Sequence, residues 1–399
     1  MILKILSSLI FSLNTIIAFS QLNVLSNGIP VANTGVNVLI KGNVIHKNNS
    51  NISNEGNFYI TGDWTNNNSS DNIFASGTNG WVHLEGGTQT IGGSTMTHFN
   101  NLELSGMGIK QLINTDAEIE DTLSLNDREF SVGDNTIFVT SAGTGVIIRD
   151  NTMTGGFVSA TDDGGLSRNI SAANTYSFPV GSSMGTVRFR PIDITTNSAT
   201  TNTFKIRMAN TDATSEGYNL ALKESSIGEI NPNFYHKISH TIGTSSSDIT
   251  LYFDNISDGD FSTIAQWQNS SQWKSVGDVN EASNYNLKGL TKLSCNNFSP
   301  IPFALADVKA SVFIPNVFSP NQDGKNDVLY IRGKGIDEIQ FIIYDRWGER
   351  VFESIDINTG WDGNYNGAPM NSAVFAYVLT GKFKNGDPID KKGNVTLLR

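Results

Sequence analysis

Between Gln21 and Gly156, apolar residues recur in pairs two positions apart, and the pairs themselves recur at a nearly constant interval. Phe58/Ile60, Val82/Leu84, Leu102/Leu104 and Leu123/Leu125 are such pairs, their second members 24, 20 and 21 residues apart (60 to 84, 84 to 104, 104 to 125). Alternation along a strand puts both members on one side, and a repeat of about twenty residues lets successive strands stack so that these sides share one apolar column. Residues 21–156 are therefore read as a β-helix or solenoid-like region. Ile137/Val139 and Val146/Ile148 continue the pattern at closer spacing. An antiparallel meander would give the same alternation and is the alternative.

The text between the pairs fits a coil that must turn several times per repeat. Gly56, Gly62, Gly80, Gly86-Gly87, Gly92-Gly93, Gly106 and Gly108 punctuate it, and Asn66-Asn-Asn68 offers side chains that hydrogen-bond their own backbone.

From Gly164 the pattern changes to runs spaced like hairpin strands. Tyr176-Ser-Phe178, Val187-Arg-Phe-Arg190, Phe204-Lys-Ile-Arg-Met208, Phe234-Tyr-His-Lys-Ile238, Ile249-Thr-Leu-Tyr-Phe253, Ile264-Ala-Gln-Trp267, Trp273-Lys-Ser-Val276 and Phe303-Ala-Leu305 predict a β-sandwich-like region over residues 157–306. Residues 218–224 hold the one helical turn expected there. Pro300 and Pro302 mark the end of that module.

Charged residues make up only 16% of the chain, which suits turn-rich β structure, and 27 basic against 38 acidic residues leave a net charge of −11. A nucleic-acid partner is excluded on that balance, because phosphate binding needs clustered positive charge. Lys4 precedes an apolar run over residues 5–17, followed by Ala18-Phe-Ser20. This reads as a signal peptide over residues 1–20, cleaved before Gln21, since the run is shorter than the roughly 20 residues of a membrane span. No transmembrane segment is expected in the mature chain. The single Cys295 permits no intrachain disulfide and is read as a small buried apolar side chain.

The last ninety-odd residues open with Ile314-Pro-Asn-Val-Phe-Ser-Pro-Asn-Gln-Asp-Gly-Lys-Asn-Asp327. Two prolines bias Ile314 and Ser319 towards extended backbone, so Val317-Phe318 reads as a strand entering a polar turn. Val328-Leu-Tyr-Ile331, Ile339-Gln-Phe-Ile-Ile-Tyr344, Arg350-Val-Phe352, Val374-Phe-Ala-Tyr-Val378 and Val395-Thr-Leu397 follow as short strands separated by Gly, Asn and Asp. They predict a small Ig-like antiparallel β-sandwich over residues 309–399.

The order of Pro315, Asn316, Phe318, Ser319, Pro320, Asn321, Asp323, Gly324, Asn326 and Asp327, then Arg346-Trp347-Gly348, Trp361-Asp362-Gly363, Gly393 and Arg399, resembles the gliding-motility-associated C-terminal domain. That is the type B sorting domain of proteins exported by the type IX secretion system of Bacteroidota. The resemblance implies a delivery address, the type IX machinery as partner, and a secreted or outer-surface location. Gln322 stands where the family usually has Gly, and Ser372-Ala-Val-Phe-Ala-Tyr377 replaces a more usual Gly-Val-Tyr-Phe-Tyr. Upstream, Asn51-Ile-Ser-Asn-Glu-Gly56, Gly62-Asp-Trp-Thr-Asn66 and Phe99-Asn-Asn-Leu102 resemble repeats in the passenger regions of such surface proteins.

Candidate sites are few. Asn321, Asp323 and Asp327 alternate around Gly324 and make a candidate calcium loop, though no Glu closes it in the manner of an EF-hand and Asx residues cap turns without metal. No other cofactor is expected. Trp347 is expected to cover the edge of the C-terminal core beside a hairpin at Gly348, with Trp361-Asp362-Gly363 forming a second corner. His236 and His240 would share a zinc ion only on a helix; on a strand they stand about 13 Å apart at about 3.3 Å per residue. His83 has no partner supplied by spacing.

Glu118, Glu120, Lys110 and Arg128 could form the acidic and basic groups of a β-helix polysaccharide lyase, but charges on strands ordinarily face water. Trp64, Trp81, Trp267 and Trp273 could stack on sugars, with core packing the better reading for each. Asp121-Thr-Leu123 resembles an O-glycosylation acceptor. No hydrolase elbow, phosphate loop or His-Glu-x-x-His motif occurs. The chain is thus expected to be non-enzymatic, an adhesin-like or structural passenger on a sorting domain, with a cell-surface glycan or a host or biofilm matrix as its partner class. The lyase is the alternative.

Overall fold

The computed structural model describes residues 2–5, 9–11, 17–19, 21–24 and 30–399, apart from 70–72, 75–78, 172, 198, 269–270, 299–300 and 385. The protein is all β. Among the described residues one short 3-10 turn, Ala213–Glu216, precedes the stretch 218–224 where a helical turn is expected. Asp212 decides this position: its carboxylate accepts the Thr214 N–H, and Gly217 at φ +93° ends the turn.

The N-terminal region winds in coils. Gln21–Val24, Val44–Lys47, Trp64–Asn67, Gln89–Gly93, Lys110–Ile113, Glu129–Ser131 and Phe157–Ser159 stack as one parallel sheet. Asn37–Ile40, Asn57–Ile60, Trp81–Leu84, Thr97–Leu104, Ala117–Asn126 and Thr136–Val139 stack as another, and a shorter sheet joins Leu9–Phe11, Pro30–Ala32 and Ser53–Asn54. Parallel pairing throughout excludes the meander. The apolar pairs form the column that the spacing predicts: Val38, Phe58, Val82, Leu102 and Leu123 are successive register partners, all buried. Val146/Ile148 departs from the pattern. Ile147, not its neighbours, pairs with Leu123, and Ile148 points outward.

Neighbouring coils run so close that some turns admit no side chain. A Cβ on Gly93, at φ +132°, would lie 2.0 Å from the Asn66 carbonyl oxygen. Beside it Asn66 hydrogen-bonds the Asn68 N–H and the Met96 carbonyl, so the predicted use of the asparagine run holds. Of the predicted signal peptide, Ser20 and most of the apolar run lie outside the described residues. The backbone of Ile2–Ile5 and Ile17–Phe19 pairs parallel with the following coil.

Gly165–Ile170 is the hinge of the architecture. One edge pairs parallel with Thr136–Val139, and the other pairs antiparallel with Asn202–Ala209. The long solenoid sheet therefore continues as an antiparallel sheet through Tyr235–Ile242 and Ile301–Val308 to Thr263–Gln268 and Gln272–Ser275. Thr175–Phe178, Ile192–Thr196, Ser247–Phe253, Leu287–Cys295 and Asn280–Asn284 form the second sheet of the sandwich-like region. Met1–Glu224 with Ile230–Leu305 is one compact unit, and one buried cluster runs from Leu22 to Leu305. The change of pattern from Gly164 is thus a change of strand direction inside a continuous sheet.

Ser225–Glu229 and Ala306–Arg399 form the second unit. Its five-stranded sheet runs Val317–Phe318, Pro388–Leu397, Ala373–Phe383, Ile336–Tyr344, Arg350–Ser354, antiparallel except for the first pair. Phe318, Leu329, Phe341, Trp361, Phe375, Leu379, Val395 and Leu397 belong to a core of its own. Residues 328–331, expected as a strand, contribute one reciprocal pair of hydrogen bonds between Leu329 and Trp361.

Candidate functional site

Two regions carry the residues singled out by sequence. The first is the opening motif of the C-terminal unit. Asn316 accepts the Thr396 N–H at 2.8 Å and Phe318 the Leu398 N–H at 3.1 Å, so the motif lies parallel to the last strand. Pro315 cannot donate, consistent with its place at the entry to an edge strand. Phe318 drops into the core 5.3 Å from the Trp361 ring. Ser319 donates its N–H to the Asn326 carbonyl, closing the loop.

Inside that loop the side-chain oxygens are committed to the backbone. Asp327 accepts the N–H of Gln322 at 2.6 Å and of Gly324 at 2.8 Å, Asn321 that of Asp323, and Asp323 that of Lys325. The alternating Asx residues work as turn caps. Gln322 (φ +66°), Gly324 (φ +80°) and Asn326 (φ +54°) all sit in left-handed backbone. The position where the family has Gly keeps a glycine conformation although Gln occupies it.

The two tryptophan corners differ. Trp361 is buried, its Nε1 donating to the Asn364 carbonyl at 2.9 Å, with Asp362 capping the Asn364 N–H. Trp347, expected over the core edge, is instead 80% exposed. Asp345 caps the N–H groups of Trp347 and Glu349, Gly348 turns at φ +82°, and the ring projects from this hairpin tip with the Arg346 guanidinium 5.1 Å from it. Gly393 faces Tyr377, whose ring would lie within 3.0 Å of a Cβ there. Arg399 donates from Nε to the Met370 carbonyl at 2.8 Å and from Nη2 to that of Gly363 at 3.2 Å.

The second region is the outward side of the long solenoid sheet, opposite the apolar column. Register places Tyr59, His83 and Glu103 in one row. Tyr59 and His83 stack at 4.3 Å, and His83 Nδ1 lies 2.6 Å from Glu103 Oε2. Trp81 stacks on His83 at 5.8 Å, and Asn57 bridges to Asn37 and to His83 Nε2. His83 therefore has partners one coil away on each side. Trp64 and Trp273 are buried outright and Trp267 nearly so, which leaves Trp81 as the half-buried ring of the four. Cys295 is buried.

On the same side, Glu118 stands beside His98, and Glu120 two positions on accepts from Asn100 at 3.0 Å. Lys110 does not join them. It is fully buried in another sheet, its ammonium donating to the carbonyls of Gly86, Gly87 and Met107 and to Gln89 Oε1. Burial, with Arg128 nearby, lowers its pKa to about 8. Arg128 is paired with Asp127. The lyase constellation is thus divided between an outer acidic face and an inner structural lysine.

His236 and His240 lie on a strand and are engaged separately. His236 is buried and donates from Nε2 to the Arg190 carbonyl at 2.8 Å, desolvation lowering its pKa to about 4. His240 stacks on Phe204 and bonds Asn202. His98 was missed from sequence because its partners are twenty residues away, and only the coil register brings them together.

Residues 312–397 match the family described as the CHU_C type IX secretion signal domain. Compared with curated proteins, the chain shows no match. The chain carries a type IX secretion signal domain at its C-terminal end, which implies handling by the type IX machinery and secretion or surface display. Among the described residues no helix is long and apolar enough to cross a membrane.

Proposed function

We propose that this chain is a Bacteroidota surface protein that enters the periplasm on a signal peptide cleaved before Gln21. It then crosses the outer membrane by its C-terminal domain and displays the solenoid and sandwich as a non-enzymatic, adhesin-like passenger. The observation that carries the export part is the match at residues 312–397 falling on a unit with its own hydrophobic core. A self-contained module can act as an address whatever precedes it.

The outward row of Tyr59, His83, Trp81 and Glu103 supports the passenger part. Aromatic rings beside amide and carboxylate groups on the outward side of a parallel sheet suit an extended glycan or matrix polymer, whose rings stack while its hydroxyls hydrogen-bond.

Cell fractionation of wild type and of a deletion of residues 309–399 tests export. Loss of surface material with periplasmic accumulation is expected, and undiminished surface delivery would overturn it. Whole cells displaying wild type or Trp81→Ala with Tyr59→Ala, applied to glycan and matrix arrays, test adhesion. Binding that both proteins share, or that neither shows, would overturn the assignment to this face.

A further inference from the structure

The outward side of the long sheet also brings together His98, Glu118 and Glu120, whose ligand-bearing atoms all lie within 4.8 Å of one another. We infer that these three side chains form a site for a divalent transition-metal ion of the zinc type, joining two successive coils of the solenoid.

The backbone builds the cluster. His98 and Glu118 are direct register partners on adjacent parallel strands, and Glu120 follows Glu118 by two residues, so all three project from the same side. Phe99 and Ile119, the alternate residues between them, are fully buried and fix both strands. The ladder shifts immediately afterwards: Phe99 pairs with Ile119 but Asn101 with Thr122, so Glu120 and Asp121 stand opposite Asn100 alone. This bulge leaves the Asn100 amide free to donate to Glu120 Oε2 at 3.0 Å, while Thr140 on the next coil donates to Glu118 Oε1 at 3.4 Å. Each carboxylate is thus oriented by a neutral donor outside the cluster, as hydrogen bonds from behind orient the ligands of a metal ion.

Distances and charge point the same way. His98 Nδ1 is 3.6 Å from Glu118 Oε1. A tetrahedral ion with bonds of about 2.0–2.1 Å holds its ligand atoms roughly 3.3 Å apart, so the three side chains, whose ligand atoms lie within 4.8 Å of one another, must draw together by up to about 1.5 Å. Two carboxylates and a neutral imidazole around a dication sum to zero charge. The imidazole selects against calcium and magnesium, which prefer all-oxygen shells, and in favour of zinc and its neighbours. Three protein ligands leave a fourth position open to water or an oxygen-bearing ligand.

The test is zinc titration by isothermal calorimetry of the full chain after chelator dialysis. Wild type is compared with His98→Ala and Glu120→Gln, with calcium and magnesium as controls and each variant's circular dichroism checked without metal. The expected result is one saturable zinc site, weakened at least tenfold in both variants. A zinc-dependent rise in Tm should accompany it in wild type alone. Zinc affinity unchanged in the variants, binding that never saturates, or calcium binding as tightly as zinc would overturn the site. A variant misfolded without metal is replaced by Glu118→Gln, which must give the same loss.

Discussion

Arg399 Nη2 and the Gly363 carbonyl oxygen lie 3.2 Å apart, which ties the end of the last strand to the corner that follows the buried Trp361. A second bond runs from Arg399 Nε to the carbonyl of Met370, whose own N–H donates to the Gly363 carbonyl, and makes the guanidinium a two-point clamp. Replacing it by Ala removes two partly exposed hydrogen bonds, each worth about 0.5–1.5 kcal/mol. Arg399→Ala is expected to destabilise the C-terminal unit by about 1 kcal/mol, seen in urea unfolding followed by Trp fluorescence. An unchanged midpoint would show that the clamp is idle.

Lys110 gives a larger effect in the solenoid. Its ammonium meets four oxygens at the turns of adjacent coils, three of them backbone carbonyls. Lys110→Met keeps the stem but removes all four bonds; the Gly86 carbonyl and Gln89 Oε1 still accept the Met107 and Gly86 N–H groups, whereas the Gly87 and Met107 carbonyls lose the ammonium donor, at about 1–3 kcal/mol for such a loss. The solenoid should lose about 1–3 kcal/mol by the same reasoning, with Tm falling by several degrees. A Tm equal to wild type would mean that water replaces the amine.

Two buried histidines set an acid limit. Desolvation lowers the pKa of His46 to about 3 and of His236 to about 4, against 6.5 for the free side chain. Below pH 6.5 the unfolded chain takes up protons that the native chain refuses. Stability is therefore full above pH 6.5 and declines as pH falls towards 4, by up to about 1.4 kcal/mol per pH unit for each histidine. Asp193, its pKa raised by burial, works in the opposite sense at the acid end of this range. Tm measured from pH 7.5 to 4.5 should fall, with a shallower slope in His236→Gln, whose amide can still donate to the Arg190 carbonyl. A flat wild-type profile would exclude the histidines as the cause.

The coil architecture was legible in the sequence because alternation and a twenty-residue repeat admit few solutions, and Phe58, Val82, Leu102 and Leu123 stack as their spacing demands. What stayed hidden depends on register. Nothing in the linear text joins His98 to Glu118, or Tyr59 to His83, since a slip of one residue would turn each to the opposite face. Lys110 read as exposed because lysine ordinarily is, and only the four oxygens that converge on it account for its burial. Trp347 misled in the reverse direction: ring size argues for packing, while the capped turn from Asp345 to Glu349 lifts the ring away from the sheet.

Gln322 offers a test of strain inside the export motif. At φ +66° a side chain crowds its own backbone, costing roughly 1–2 kcal/mol, and Gln lacks the short polar side chain that helps Asn tolerate this region. The strain persists because Asp327 holds both the Gln322 and Gly324 amides and so dictates the turn. Gln322→Gly relieves it at the expense of a more flexible unfolded chain, about 0.5–1 kcal/mol in the other direction. The net expectation is a stabilisation of about 0.5–1 kcal/mol with surface delivery unchanged, read by urea unfolding and cell fractionation. Asp327→Ala should act oppositely, freeing both amides and lowering stability by about 1–2 kcal/mol. If Gln322→Gly were destabilising, the left-handed turn would not be what the Asp327 carboxylate enforces.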